Sequence, residues 1–150
     1  MVAVFDALGY MFMQQHRDEV SPFRMHALLY LAHGDCLAAQ ERPLVDSGFE
    51  AWLVAPINRE LYESQRGGGR WEHDAEPDHL DTAQKGALVQ VLDRYARTPD
   101  GDLRRIVRDP VWANTRDRAG AGPDDGCTAH MPDTEIAVYF RAAGQAVTAF

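Results

Sequence analysis

The sequence is short of the features that carry enzymatic chemistry. It holds two cysteines, Cys36 and Cys127, without Cys-x-x-Cys spacing. The pair reads as two reduced thiols, not as a disulfide framework or a thiolate metal knuckle. Three serines occur, Ser21, Ser47 and Ser64, and none sits in a Gly-x-Ser-x-Gly elbow. Gly67-Gly68-Gly69 is not followed by lysine and serine or threonine, and it closes a helical pattern where a phosphate loop would open one. No apolar run approaches the roughly 18 residues of a membrane span. Val2 to Met13 is apolar, but Asp6 interrupts it and neither a basic leader nor a small-residue cleavage site accompanies it, so it does not read as a signal peptide. Positive charge is also scarce. Fifteen Lys and Arg against 23 Asp and Glu leave a formal net charge of −8. That balance disfavours nonspecific binding to nucleic acid or an anionic membrane and favours a basic protein partner. Internal repeats, low-complexity tracts and linkers are absent as well.

What is present suits one globular domain. A chain of 150 residues buries roughly 68–70% of its unfolded surface and needs no staples. The stretch Phe49 to Tyr62 organises the rest. Glu50 to Val54 alternates polar and apolar residues, as a short strand does, with Trp52 on one face. Pro56 separates that strand from a helix capped by Asn58. The flanking helices are expected to pack on Trp52.

Elsewhere the signals are mostly helical. Val4, Phe5, Leu8, Met11 and Phe12 recur at helical spacing, giving a helix to about His16. Ser21-Pro22 starts a second helix, along which Met25, Leu28, Leu29, Ala32, Cys36 and Ala39 trace a face. Gly34 should cost that helix about 1 kcal/mol relative to alanine. Leu44-Val45 and Phe49 to Val54 read as a hairpin with its turn at Asp46-Ser47-Gly48. A third helix runs from Asn58 to Arg66 and stops at the glycines, where a left-handed residue is expected. Arg70 to His79 has no period and reads as a loop. Asp81 with Gln84 forms a capping box for a helix burying Leu88, Val91, Leu92 and Tyr95. Thr98 to Gly101 is a turn; Leu103, Ile106 and Val107 mark a short helix, and Val111-Trp112 begins another turn. Ala119 to Cys127 reads as a mobile loop. Asp133 is expected to cap a last helix carrying Ile136, Tyr139, Phe140, Ala143 and Val147. The fold class is therefore mainly α: about six helices with a short β-hairpin near residues 43–55.

With these elements in place the chain resembles the Panacea domain, found in SocA-type antitoxins and in phage-associated proteins of the GepA type. Leu28-Leu29-Tyr30 and Leu37 match the family's first helix, and Pro43-Leu44 follows at the family's place. Glu50-Ala51-Trp52, Ala55-Pro56-Ile57 and Leu61-Tyr62 match the central motif. Tyr95, Leu103, Pro110 with Trp112, and Tyr139-Phe140 complete the order. The family's lysine before Leu-Leu-Tyr is missing, its Gly-Pro-Val glycine is Ala55, one residue parts Pro110 from Trp112, and the histidine ahead of that pair is absent. The resemblance spans nearly the whole chain. It implies a cytoplasmic antitoxin that neutralises a protein toxin by direct contact, the toxin being the product of an adjacent gene. It also implies a bare domain over residues 1–150, without the DNA-binding extension many members carry. Leu29, Ala51, Pro56, Leu61, Trp112, Tyr139 and Phe140 are then the family's core positions.

On that reading the partner-binding residues are Tyr30, Glu50, Trp52, Asn58, Arg59, Tyr62 and Glu63. Core packing is the plainer role for Trp52 and Trp112. Glu50, Glu60, Glu63, Glu72, Asp74 and Glu76 gather around the same corner and suit a basic toxin surface. No catalytic residue, metal or cofactor is expected. His26 and His33 lie on one helical face with no nearby carboxylate to complete a metal set. His73, Asp74, Glu76, Asp78 and His79 form the densest ligand cluster, in no recognised zinc spacing. Two alternatives stay open: a phage-associated adaptor that binds a host protein, and a metal-dependent hydrolase using the His73–His79 loop.

Overall fold

The computed structural model describes residues 3–15, 20–68 and 75–148. They form α1 (Val4–Gln15), α2 (Pro22–Gln40), β1 (Phe49–Ala51), β2 (Pro56–Ile57), α3 (Arg59–Arg66), α4 (Thr82–Tyr95), α5 (Asp100–Val107), α6 (Pro110–Arg118), β3 (His130–Met131) and α7 (Asp133–Thr148), with a 3-10 turn at Pro77–His79. The architecture is mainly helical with a small antiparallel sheet. It has seven α-helices among the described residues, where about six were expected.

The second helix is the centre. Its apolar residues do not keep to one stripe: His26 to Gly34 are buried without interruption, as are Cys36 and Leu37. A helix apolar all round must be covered all round. Accordingly α7, α4, α5 and β2 pack around it, and α1 lies on α4. The start of α2 follows its sequence signal. Ser21 Oγ accepts from Arg24 N at 3.1 Å, with Pro22 in the first turn. Arg24 then reaches the carbonyls of Tyr95 and Thr98 at 2.5 and 2.7 Å and fastens the end of α4 to α2. The capping box of α4 forms as expected, Asp81 accepting from Gln84 N while Gln84 accepts from Asp81 N, each at 2.8 Å.

The β corner differs from the expected hairpin. Val45 makes only an isolated bridge, and β1 stops at Ala51. β1 pairs with β2, Glu50 opposite Ile57 and Ala51 opposite Pro56, so the turn is Trp52–Ala55. Pro56 lies inside the edge strand, where no ladder N–H is required of it. On its other side β1 pairs with β3, Phe49 opposite Met131. Two residues are too short a run for a periodic signal, which hid β3 from sequence reading.

Three other expectations are corrected. Val111-Trp112 begins a nine-residue helix, α6, capped by Asp109, which accepts from Trp112 N at 3.0 Å. Asp133 is not the cap of α7 but its first residue, and its Oδ1 accepts from His33. The left-handed glycine expected after α3 does form, at Gly68 (φ 105°), Gly67 having φ −84°. The loop from Ala119 to Cys127 is tied down by Arg116, which donates to the carbonyls of Gly122 and Asp125 at 3.1 and 2.5 Å. The expected loop residues 70–74 and the helix end at His16 lie outside the described residues.

Candidate functional site: the β corner and its aromatic face

Four consecutive backbone carbonyls of the corner are each held by a side chain. Arg116 Nη1 donates to Ala51 O at 3.1 Å, and Trp112 Nε1 to Trp52 O at 2.8 Å. Arg108 donates to Leu53 O at 2.6 Å and to Val54 O at 3.0 Å. A turn with its carbonyls so occupied is pre-organised, and what it displays is presented in one shape. The guanidinium carbons of Arg108 and Arg116 each lie 5.1 Å from the Trp112 ring centre, within cation–π range.

Trp52 is not a core residue. It is half-buried at the first position of the turn, and of the two flanking helices expected to pack on it the one that follows, α3, does so through Tyr62 and Arg59. Its ring stands edge-on to Tyr62 with centroids 4.6 Å apart, and Arg59 lies 5.4 Å from the ring centre. Trp52 Nε1 donates to Glu50 Oε1 at 2.8 Å. Arg59 binds both oxygens of the same carboxylate, Nε to Oε2 and Nη2 to Oε1, each at 2.9 Å. Partial burial works to raise the Glu50 carboxyl, but the hydrogen bonds from Arg59 and Trp52 outweigh it and hold it below the ordinary carboxylate range. Glu63 lies 3.9 Å from Arg59 and 3.8 Å from Arg66, which in turn lies 5.8 Å from the Tyr62 ring centre.

Five of the seven residues expected at a partner surface are thus gathered on one face: Glu50, Trp52, Arg59, Tyr62 and Glu63. The other two are buried and are corrected. Tyr30 is fully enclosed in α2; its hydroxyl donates to Asp109 Oδ2 at 2.6 Å. Burial, with the Asp109 charge beside it, holds that phenol far above its usual range. Asn58 is also fully enclosed. Its Oδ1 accepts from Leu61 N at 2.9 Å as a cap should, and its Nδ2 donates to Ser47 Oγ and Gly48 O at 2.8 Å each. Of the core positions, Leu29, Ala51, Pro56 and Leu61 are buried, and Trp112, Tyr139 and Phe140 pack half-buried against the core.

The acidic cluster is less free than its sequence suggested. Glu50 and Glu63 are paired with arginines, and Glu76 with His79 at 3.2 Å. Glu60 is exposed, and Glu72 and Asp74 lie outside the described residues. His79 Nδ1 also meets Asp6 Oδ2 at 2.9 Å, which raises its pKa and pins the Pro77–His79 turn to α1. His73 lies outside the described residues, and among the described ones no group of three or more His, Cys, Asp or Glu could hold a metal. His26 and His33 turn out to be hydrogen-bonded struts. Nδ1 of each accepts a backbone N–H, from Asn58 at 3.1 Å and Val45 at 3.3 Å. Nε2 of each then carries the proton and donates, to Gln65 Oε1 at 3.0 Å and Asp133 Oδ1 at 2.9 Å.

Sequence reasoning missed Arg108 and Arg116, which brace the turn. Their only signal was two arginines flanking the Pro110-Val111-Trp112 run. No described helix is long and apolar enough to cross a membrane. Comparisons with protein-family profiles, curated proteins and solved structures gave no match to this chain.

Proposed function

We propose that this chain is a cytoplasmic antitoxin that neutralises a protein toxin by stoichiometric contact, making and breaking no bond. The observation that carries the reading is the half-buried Trp52–Tyr62 pair, bracketed by Arg59 and Glu50 on a braced turn. Tryptophan, tyrosine and arginine are the residues that dominate binding energy at protein interfaces. Here they are held in place before any partner arrives, which lowers the entropy cost of association. The resemblance to the Panacea domain supplies the class of partner, and the central motif of that resemblance is the segment that builds this face. Contact runs chiefly through the aromatic pair, since Glu50, Glu63 and Arg59 are already matched with one another. The test is co-expression with the product of the adjacent gene. Rescue of growth, lost in a Trp52→Ala/Tyr62→Ala double variant that remains folded, is the expected result. Failure of the folded wild-type chain to rescue overturns the antitoxin reading.

A further inference from the structure

The far side of the same turn faces a groove of about 630 Å³, bounded by the exposed turn residues, the end of α5 and the loop 123–128. Leu53 and Val54, 38% and 39% exposed, form its apolar wall. Arg104 and Arg108 supply its cationic lining. Among the described residues the Arg104 guanidinium has no hydrogen-bond or ion-pair partner. Arg108 spends Nε and one Nη on the turn carbonyls and has no carboxylate partner. Behind them Arg116 is buried and satisfied by three backbone carbonyls, again without a carboxylate. Burial, then the charges of Arg104 and Arg116, depress the Arg108 pKa, as expected where like charges crowd. Asp124 is the one carboxylate among the groove's lining residues.

Three guanidiniums without a carboxylate are unexpected in a chain of net charge −8. Five other described arginines are matched by carboxylates: Arg24 with Asp100, Arg42 with Asp81, Arg59 with Glu50, Arg105 with Asp102 and Arg118 with Glu135. In a chain of net negative charge, three neighbouring guanidiniums without a carboxylate make this groove a place where the local field favours an anion. A nucleic-acid strand, with a phosphate at every nucleotide, would meet that net negative charge along its length. A short peptide with a few carboxylates suits the cationic lining, and its apolar side chains find Leu53 and Val54 in the same groove.

We propose that the groove between the Trp52–Ala55 turn and the end of α5 docks an extended acidic–apolar peptide segment of a protein partner, with carboxylates on Arg104 and Arg108 and an apolar side chain against Leu53 and Val54. The site adjoins the aromatic face through Trp52 but stands whether or not the partner is a toxin.

The test uses the purified chain alone, so its failure is separate from a failure of toxin rescue. The probe is a fluorescein-labelled peptide of alternating aspartate and leucine, followed by anisotropy. Saturable binding is expected, absent for a lysine–leucine peptide and weakened about tenfold or more by Arg104→Glu, the size of one lost charge-assisted hydrogen bond. Arg104 is exposed and among the described residues its side chain makes no hydrogen bond or ion pair, so this variant is expected to keep the fold, which circular dichroism checks. Val54→Ser is expected to weaken binding independently. Cys127, which lines the groove, is expected to be alkylated more slowly by iodoacetamide when the peptide is bound. No saturable binding, equal binding of the lysine–leucine peptide, or indifference to Arg104→Glu overturns the proposal. So does equal competition by single-stranded oligothymidine, which would make the site a general polyanion site.

Discussion

His26 Nδ1 accepts the backbone N–H of Asn58 at 3.1 Å, tying the middle of the molecule to the first turn of α3. Because a backbone N–H only donates, this nitrogen is unprotonated and the ring is neutral. Burial reinforces that state and lowers the His26 pKa from 6.5 to about 4, the bond to Gln65 opposing it more weakly. The unfolded state therefore binds the proton more readily than the folded one. The stability His26 contributes is complete above pH 6.5, declines as pH falls through 6.5, and is fully lost near pH 4. The loss is about 3 kcal/mol. Burial raises the Asp35 and Asp109 carboxyls, which act in the opposite sense. Urea unfolding of wild type and His26→Gln from pH 7.5 to 4 isolates the histidine: the difference between them should shrink or reverse towards acid. A constant difference would show that His26 does not titrate on unfolding.

Gly34 to alanine reads as stabilising on helix propensity alone, and the structure reverses the sign. A Cβ at Gly34 would overlap the edge of the Phe140 ring. That ring cannot swing away freely, being edge-on to Tyr30 and Tyr139 at 5.6 and 5.5 Å. Gly34→Ala should destabilise by about 1–3 kcal/mol, a typical overpacking cost. Phe140→Leu, itself destabilising, should remove most of the further penalty of Gly34→Ala when the two are combined. Chemical denaturation of the four chains checks the coupling.

The contrast at Gly34 marks what the sequence could and could not tell. Signals confined to a few neighbouring residues were legible: Ser21-Pro22, the Asp81/Gln84 box and the Asn58 cap all form. Partners distant in sequence were not. Asp133 looked like a cap because nothing local showed that His33, 100 positions earlier, would take its carboxylate. Tyr30 looked like an interface residue because its partner Asp109 is 79 positions away. Trp52 was placed at the right corner but on the wrong side of the surface. Its burial depended on which residues formed the turn, and that depended on the pairing of β1 with β2 and β3. The face was legible as a collection of residues, whereas the bracing by Arg108 and Arg116 was not.

Asn58 should prove structural. Asn58→Ala removes the α3 cap and leaves the Gly48 carbonyl without its donor in a buried place. Together these should cost about 2–4 kcal/mol. Asn58→Asp keeps an acceptor for Leu61 N but cannot donate when ionised, so it should also destabilise at neutral pH. Thermal unfolding measures both. A variant at 58 that kept wild-type stability and lost only partner binding would return Asn58 to the interface.

Trp52 is the residue at which stability and binding should separate. Its bond to Trp112 runs through its own backbone carbonyl, so Trp52→Ala leaves that acceptor in place. The losses are the edge-on contact with Tyr62, the Arg59 stacking and the bond to Glu50. Glu50 keeps both contacts from Arg59, so no buried carboxylate is orphaned. The cost should be about 1–2 kcal/mol, below the roughly 3–5 kcal/mol of a core tryptophan, and lower the melting temperature by only several degrees. Trp112→Ala should cost more than Trp52→Ala, because it removes the side-chain donor to Trp52 O together with the surface on which Arg108 and Arg116 stack. If Trp52→Ala instead unfolds the chain while Trp112→Ala is tolerated, the turn is not braced from α6. The aromatic face would then lose the rigidity that makes it a credible partner surface.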